Sequence, residues 1–121
     1  MTLSVGIPII RIFSEAKAKE FYLDFLGFRL DWEHRFEADF PLYAQVTRSD
    51  LTLHLSEHHG DATPDSAVFI PVTDIAALQQ ELLAKEYKYA KPSIETVDWG
   101  RVMQIMYPYG NCLRFCKLSE D

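Results

Sequence analysis

Several things are scarce in this chain of 121 residues, and each scarcity closes off a class of function. Cysteine occurs twice, at Cys112 and Cys116. Four positions along one strand span about 13 Å, too far for a disulfide, so both read as free thiols in a reducing compartment. Basic residues are few: 12 Lys and Arg stand against 18 Asp and Glu, for a formal net charge of −6. Phosphate binding needs clustered cations, so nucleic acid is not an expected partner, whereas a cationic ligand suits an acidic surface. No apolar run is long enough to cross a bilayer, and the start, MTLSVGIPIIRIF, lacks the basic opening of a signal peptide. A cytoplasmic protein with no membrane partner is expected. Nucleophile elbow, Gly-rich phosphate loop and HExxH are all missing.

The chain does hold an ordinary globular share of apolar residues, 48%, and many rings, 13% aromatic with eight Phe. A single domain of this length buries roughly two thirds of its unfolded surface. Rings not needed for the core are free to line a pocket.

The order of patterns is regular. Val5–Phe13 reads as a strand interrupted by Pro8, which marks an edge or a bulge. Ser14 caps a helix over Glu15–Leu26, whose stripe is Ala18, Phe21, Tyr22, Phe25 and Leu26, and Gly27 stops it. Phe28–His34 alternates, with Phe28, Leu30 and Trp32 on one side and Arg29, Asp31 and Glu33 on the other. Phe40–Val46 and Leu51–Ser56 form a hairpin around Thr47-Arg48-Ser49-Asp50. A polar stretch, Glu57–Pro64, links to a second round: strand Ala67–Val72, a helix from Thr73 or Asp74 to about Glu86, a strand near Ser93–Val97, and a hairpin of Arg101–Tyr107 and Asn111–Cys116 about Pro108-Tyr109-Gly110. Pro8 and Phe69, Ala16 and Ala77, and Ser49 and Gly110 are each 61 positions apart. The chain is thus a duplication of a strand–helix–three-strand unit, with modules at about 3–57 and 65–118 of one domain, 1–121.

Neither module can bury its apolar side alone. Side by side, the two give a sheet with helices outside and a cleft on the chemically mixed faces. Alternation assigns Thr52, His54, Ser56, Cys112, Arg114 and Cys116 to that cleft, and Leu51, Leu53, Leu55, Leu113 and Phe115 to the core.

These residues resemble the glyoxalase/bleomycin-resistance/dioxygenase superfamily, also called vicinal oxygen chelate proteins, and within it the bleomycin-binding proteins. The matching pieces include Ile7-Pro8-Ile9, SEAKAKEFYLDFLGF, Leu53-His54-Leu55-Ser56, Trp99-Gly100-Arg101 and Gly110-Asn111-Cys112. The resemblance implies an α+β fold of two tandem βαβββ modules curved around a crevice. It also implies a homodimer with the crevice at its interface, and a bleomycin-like small molecule, cationic and aromatic, held there without chemistry. Carried over by residue, Asp31 and Trp32 take the acidic and aromatic positions after the LGF turn. Either Phe36 or Phe40 supplies the second early ring. Phe69 is the ring on the fifth strand, and Trp99, followed by Arg101 in the same motif, is the late one. The superfamily's enzymes hold a divalent ion at positions that fall here on Ile7 or Pro8, Asp65 or Ser66, and Arg114. Isoleucine cannot ligate, and Arg114 brings a fixed positive charge. No metal, cofactor or catalytic residue is therefore expected. The alternative reading is a divalent-metal-dependent glyoxalase-like lyase, isomerase or thiol transferase.

Overall fold

The computed structural model describes residues 1–119; Glu120 and Asp121 lie outside the described residues. The elements follow the order β1 (Ile9–Arg11), α1 (Glu15–Lys19), β2 (Arg29–His34), β3 (Tyr43–Arg48), β4 (Leu51–Ser56), β5 (Ala67–Pro71), α2 (Ile75–Ala84), β6 (Ile94–Val97), β7 (Gly100–Met106) and β8 (Cys112–Leu118). They divide between two compact units, Met1–Pro64 and Asp65–Asp121. Each unit holds one mixed four-stranded sheet, ordered β1-β4-β3-β2 and β5-β8-β7-β6.

In the first unit β1 runs parallel to β4, and β4-β3-β2 is an antiparallel meander. Only Ile9–Arg11 of the expected Val5–Phe13 is strand. Pro8 has no amide hydrogen to donate, and β1 is the edge of its sheet, where that loss is tolerated. The Ser14 hydroxyl caps α1 by accepting from the Lys17 amide at 3.2 Å. The helix then widens into π turns over Glu20–Phe25. Leu26 N reaches back five residues to Phe21 O (2.9 Å). Gly27, at φ +74°, ends it, as its freedom to take a left-handed conformation requires. Phe21, Tyr22, Phe25 and Leu26 are all buried, as are Ile10, Ala44, Val46, Leu53 and Leu55 from the sheet. The Arg48 guanidinium fastens the helix end by donating to Leu26 O at 2.7 Å.

Two local features differ from simple alternation. The β3–β4 turn is the two residues Ser49 and Asp50, not four, so Arg48 faces Leu51 and Gln45 faces His54. Strand β2 bulges between Leu30, opposite Val46, and Trp32, opposite Gln45. The extra residue, Asp31, turns Trp32 away from the side that Leu30 serves.

In the second unit Asp74 caps α2 by accepting from Ala77 N at 3.0 Å. The buried α2 side chains Ile75 and Leu82 belong to a core with Met103, Ile105, Leu113 and Phe115. Gly110 (φ +75°) closes the β7–β8 turn, and a Cβ there meets the Asp65 carboxylate at 1.9 Å. Asn111, 1% exposed, accepts from Ser66 N through Oδ1 (3.2 Å) and so ties this turn to the start of β5. The repeat interval is sixty residues at matched register positions, one fewer than the sequence spacing gave. Ile9 faces His54 as Phe69 faces Arg114, and Ser14 caps one helix as Asp74 caps the other.

Candidate functional site

The first sheet has one apolar face and one mixed face. Register places Trp32, Tyr43, Gln45, Thr47, Thr52 and His54 on the mixed face. Trp32, 44% exposed, lies nearly parallel to Tyr43 (centroids 6.1 Å apart, 13°). His54 meets both rings edgewise, at 5.5 Å and 5.1 Å.

A continuous hydrogen-bond chain links two of these rings, Tyr43 and His54, to Asp31. Asp31 accepts from Arg29 Nε (2.9 Å), Gln45 Nε2 (3.0 Å) and Thr47 Oγ1 (2.5 Å). Those donors, Thr47 foremost, then Gln45 and Arg29, hold its pKa down from 3.8 to about 2. The other oxygen of Gln45's amide, Oε1, lies 2.9 Å from His54 Nε2, and His54 Nδ1 lies 2.7 Å from the Tyr43 hydroxyl. Burial, and then the nearby Asp61 carboxylate, raise the Tyr43 pKa above its usual value, so the hydroxyl keeps its proton.

The remaining expected residues of this unit fall in two places. Phe36 and Phe40 sit together on the β2–β3 loop, stacked at 6.1 Å and 78% and 44% exposed. The loop that carries them folds back on itself. Arg35 donates to Phe40 O (2.8 Å), pairs with Glu15, and lies 3.6 Å from Glu57. Glu57 in turn accepts from Leu42 N at 2.8 Å. Ser56, by contrast, is fully buried. Its hydroxyl donates to Asp61 (2.7 Å) and accepts from His58 N (3.0 Å), so it is occupied within its own loop.

On the second sheet, Phe69, Arg114 and Gln104 form one row across β5, β8 and β7. Phe69 is 47% exposed, and Arg114 donates through Nε to Gln104 Oε1 at 3.1 Å. Cys112 and Cys116, which alternate with Leu113 and Phe115, are free thiols but buried. Arg101 does not join the row: an odd number of positions from Gln104, it points to the opposite face, in register with Thr96 and Lys117. Trp99, 56% exposed, stands at the tip of the β6–β7 hairpin. The next residue, Gly100 (φ +154°), lies so close to Lys117 O, 2.3 Å from an added Cβ, that no side chain fits. A cavity of about 200 Å³ opens beside Gln104 and Met106, walled by Tyr89, Lys91 and Pro92. Tyr89 stacks on Tyr107 at 5.3 Å.

Sequence reasoning passed over Tyr43 and Gln45. The signal was available in the hairpin: strict alternation puts both on the side of His54. Among the described residues, no three His, Cys, Asp or Glu side chains gather into a group suited to a metal ion. Among the same residues no helix is long and apolar enough to cross a membrane.

Two tandem βαβββ units, each presenting a ring-bearing polar face, define a glyoxalase/bleomycin-resistance fold. The chain belongs to the glyoxalase superfamily, whose family model, described as "Glyoxalase superfamily protein", matches residues 1–121. Among solved structures it is similar to the bleomycin-binding protein of bleomycin-producing Streptomyces verticillus, crystallised with copper(II)-bleomycin. The two share 26% identity over 98% of this chain and 99% of that one, with a TM-score of 0.71. The fold also matches TnmS3, an antibiotic-binding protein from Streptomyces sp. CB03234 (20% identity, 98% and 100% covered, TM-score 0.71). A glyoxylase/bleomycin resistance protein/dioxygenase domain from Frankia sp. EAN1pec matches too (14% identity, 98% and 100% covered, TM-score 0.76). No curated protein matches the sequence.

Proposed function

We propose that this protein binds and sequesters a small cationic, aromatic molecule, an antibiotic of the bleomycin kind or a metabolite, without chemical change. The observation that carries the reading is the exposed Trp32 ring stacked on Tyr43, which belongs to a polar network anchored by an ionised carboxylate. A planar ligand laid on such rings gains about 0.5–1.5 kcal/mol per ring beyond area burial. Phe36 and Phe40 are further exposed rings of the same unit, and Phe69 and Trp99 are exposed rings of the second. The net charge of −6 favours a cation. The likeness to a bleomycin-bound protein supports the ligand class.

The same reading makes the protein a homodimer with its crevice at the interface, in the cytoplasm. Exposed apolar residues ahead of β1, Leu3, Val5 and Ile7, supply surface for a second copy to cover. The two free thiols suit a reducing compartment. The test is titration with bleomycin while tryptophan emission is followed, since Trp32 and Trp99 are the two tryptophans. Saturable quenching at micromolar drug, lost in Trp32→Ala, supports the reading. Unchanged emission overturns it, and a stoichiometric divalent ion on the purified protein directs attention to the metal-dependent alternative.

A further inference from the structure

With a neutral His54 imidazole, the network that joins Asp31 to Tyr43 admits one arrangement of protons. Asp31 is ionised and can only accept, so the amide of Gln45 must turn its amino group to Asp31 Oδ2. That leaves Gln45 Oε1 facing His54 at 2.9 Å. An amide oxygen only accepts, so His54 Nε2 carries the proton. In the neutral imidazole Nδ1 then holds a lone pair and accepts from the Tyr43 hydroxyl at 2.7 Å. Thr47 obeys the same logic. Its proton goes to Asp31, so Thr52, 3.1 Å away, donates to Thr47. Every proton in the chain is directed by the one carboxylate at its end.

The consequence falls on Tyr43. Its hydroxyl proton is committed to His54, and what the half-buried Oη offers to anything laid against the rings is lone pairs. The Asp61 carboxylate acts on the same oxygen and deepens the negative potential there. We infer that Tyr43 is a specificity-determining residue: it accepts a hydrogen bond from a protonated amine or ring N–H at the edge of a planar ligand lying on Trp32. This rests on the aromatic-ligand reading above and deepens it, by naming the ligand group that this face selects. Asp31, Gln45 and His54 are positioning residues, because they act on the ligand only through the direction of the Tyr43 hydroxyl.

Two dyes with one ring system separate the possibilities. Proflavine is cationic and carries N–H donors along its edge; acridine, neutral in mildly alkaline buffer, carries only an acceptor nitrogen. Each is titrated into the intact protein, with tryptophan quenching as the readout. Proflavine is expected to bind about tenfold more tightly, the scale of one charge-assisted hydrogen bond. Tyr43→Phe is expected to cut that ratio to about twofold, since it removes the acceptor and leaves the protein's charge unchanged. Gln45→Leu, which frees His54 Nε2, is expected to lower the ratio too. It should also shift the ring nitrogen signals of 15N-labelled His54 away from a pure Nε2–H tautomer. Equal binding of the two dyes overturns the inference. So does a ratio that survives Tyr43→Phe, or an Nδ1–H tautomer in the unaltered protein. If neither dye quenches, the aromatic-ligand reading itself fails and takes this inference with it.

Discussion

The two units place a glutamine opposite matched residues of the strand that carries the parallel pairing, yet they put different chemistry there. In the first, Gln45 faces His54, and in the second Gln104 faces Arg114. Both glutamines offer Oε1 to their partner, at 2.9 Å and 3.1 Å. They differ in what holds the other end of the amide. Gln45 donates to Asp31, whereas Gln104 donates weakly to the Met106 sulfur at 3.5 Å. The first face is thus organised by an anion and ends in an acceptor, while the second carries a guanidinium. Among the described residues no carboxylate pairs with that guanidinium. One scaffold, used twice, carries different polar faces because different side chains stand at matched positions: His54, linked through Gln45 to Asp31, in the first unit and Arg114 in the second.

The comparison has measurable consequences. The largest concerns the scaffold. Leu53 and Leu113 are both fully buried on the core faces of their central strands. Leu53→Ala and Leu113→Ala should each cost about 2–5 kcal/mol, read from denaturant midpoints. A loss much smaller in one unit breaks the equivalence. Next come the hairpin turns. Gly110→Ala meets both a φ of +75° and the Asp65 carboxylate, and should cost about 2 kcal/mol. At the matching turn Ser49 already sits at φ +53°, so Ser49→Gly should stabilise by up to about 1 kcal/mol. A gain at Gly110 or a loss at Ser49 contradicts the steric account.

Acid should find the first unit. The Asp31 carboxyl has a folded pKa of about 2 against an ordinary 3.8, so its contribution is present above about pH 4. The contribution is lost as pH falls towards 2. Asp31→Asn should flatten that limb of the stability–pH curve; an unchanged limb refutes the assignment. Smallest is Arg114→Met in the second unit. With one hydrogen bond, to Gln104, and partial exposure, it should shift stability by no more than about 1 kcal/mol.

Much of this was legible in the order of residues. Leu51–Ser56 is a strand with the bounds its alternation predicts, and Leu53 and Leu55 are buried as their side of it requires. The caps Ser14 and Asp74 and the stop at Gly27 follow from side-chain and backbone chemistry that acts within a few residues. What escaped depends on pairing between strands. A four-residue turn puts Tyr43 opposite His54; the actual two-residue turn puts Gln45 there, and with it the link to Asp31. Strict alternation separates Asp31 from Trp32, and the bulge that reconciles them leaves no mark in a pattern of period two. Arg101 came with its neighbours in a motif, although its place in the strand turns it from Arg114. The Gly110-Asn111-Cys112 piece proves to be joinery, since Asn111 is buried and holds Ser66.

The irregularity in β2 sits on the terminal strand of its four-stranded sheet. Lengthening or shortening the chain there by one residue exchanges the faces taken by Trp32 and Glu33. The interior built on β3 and β4 stays in register throughout. A single codon gained or lost therefore changes what this face presents, with no need to rebuild what holds the fold together.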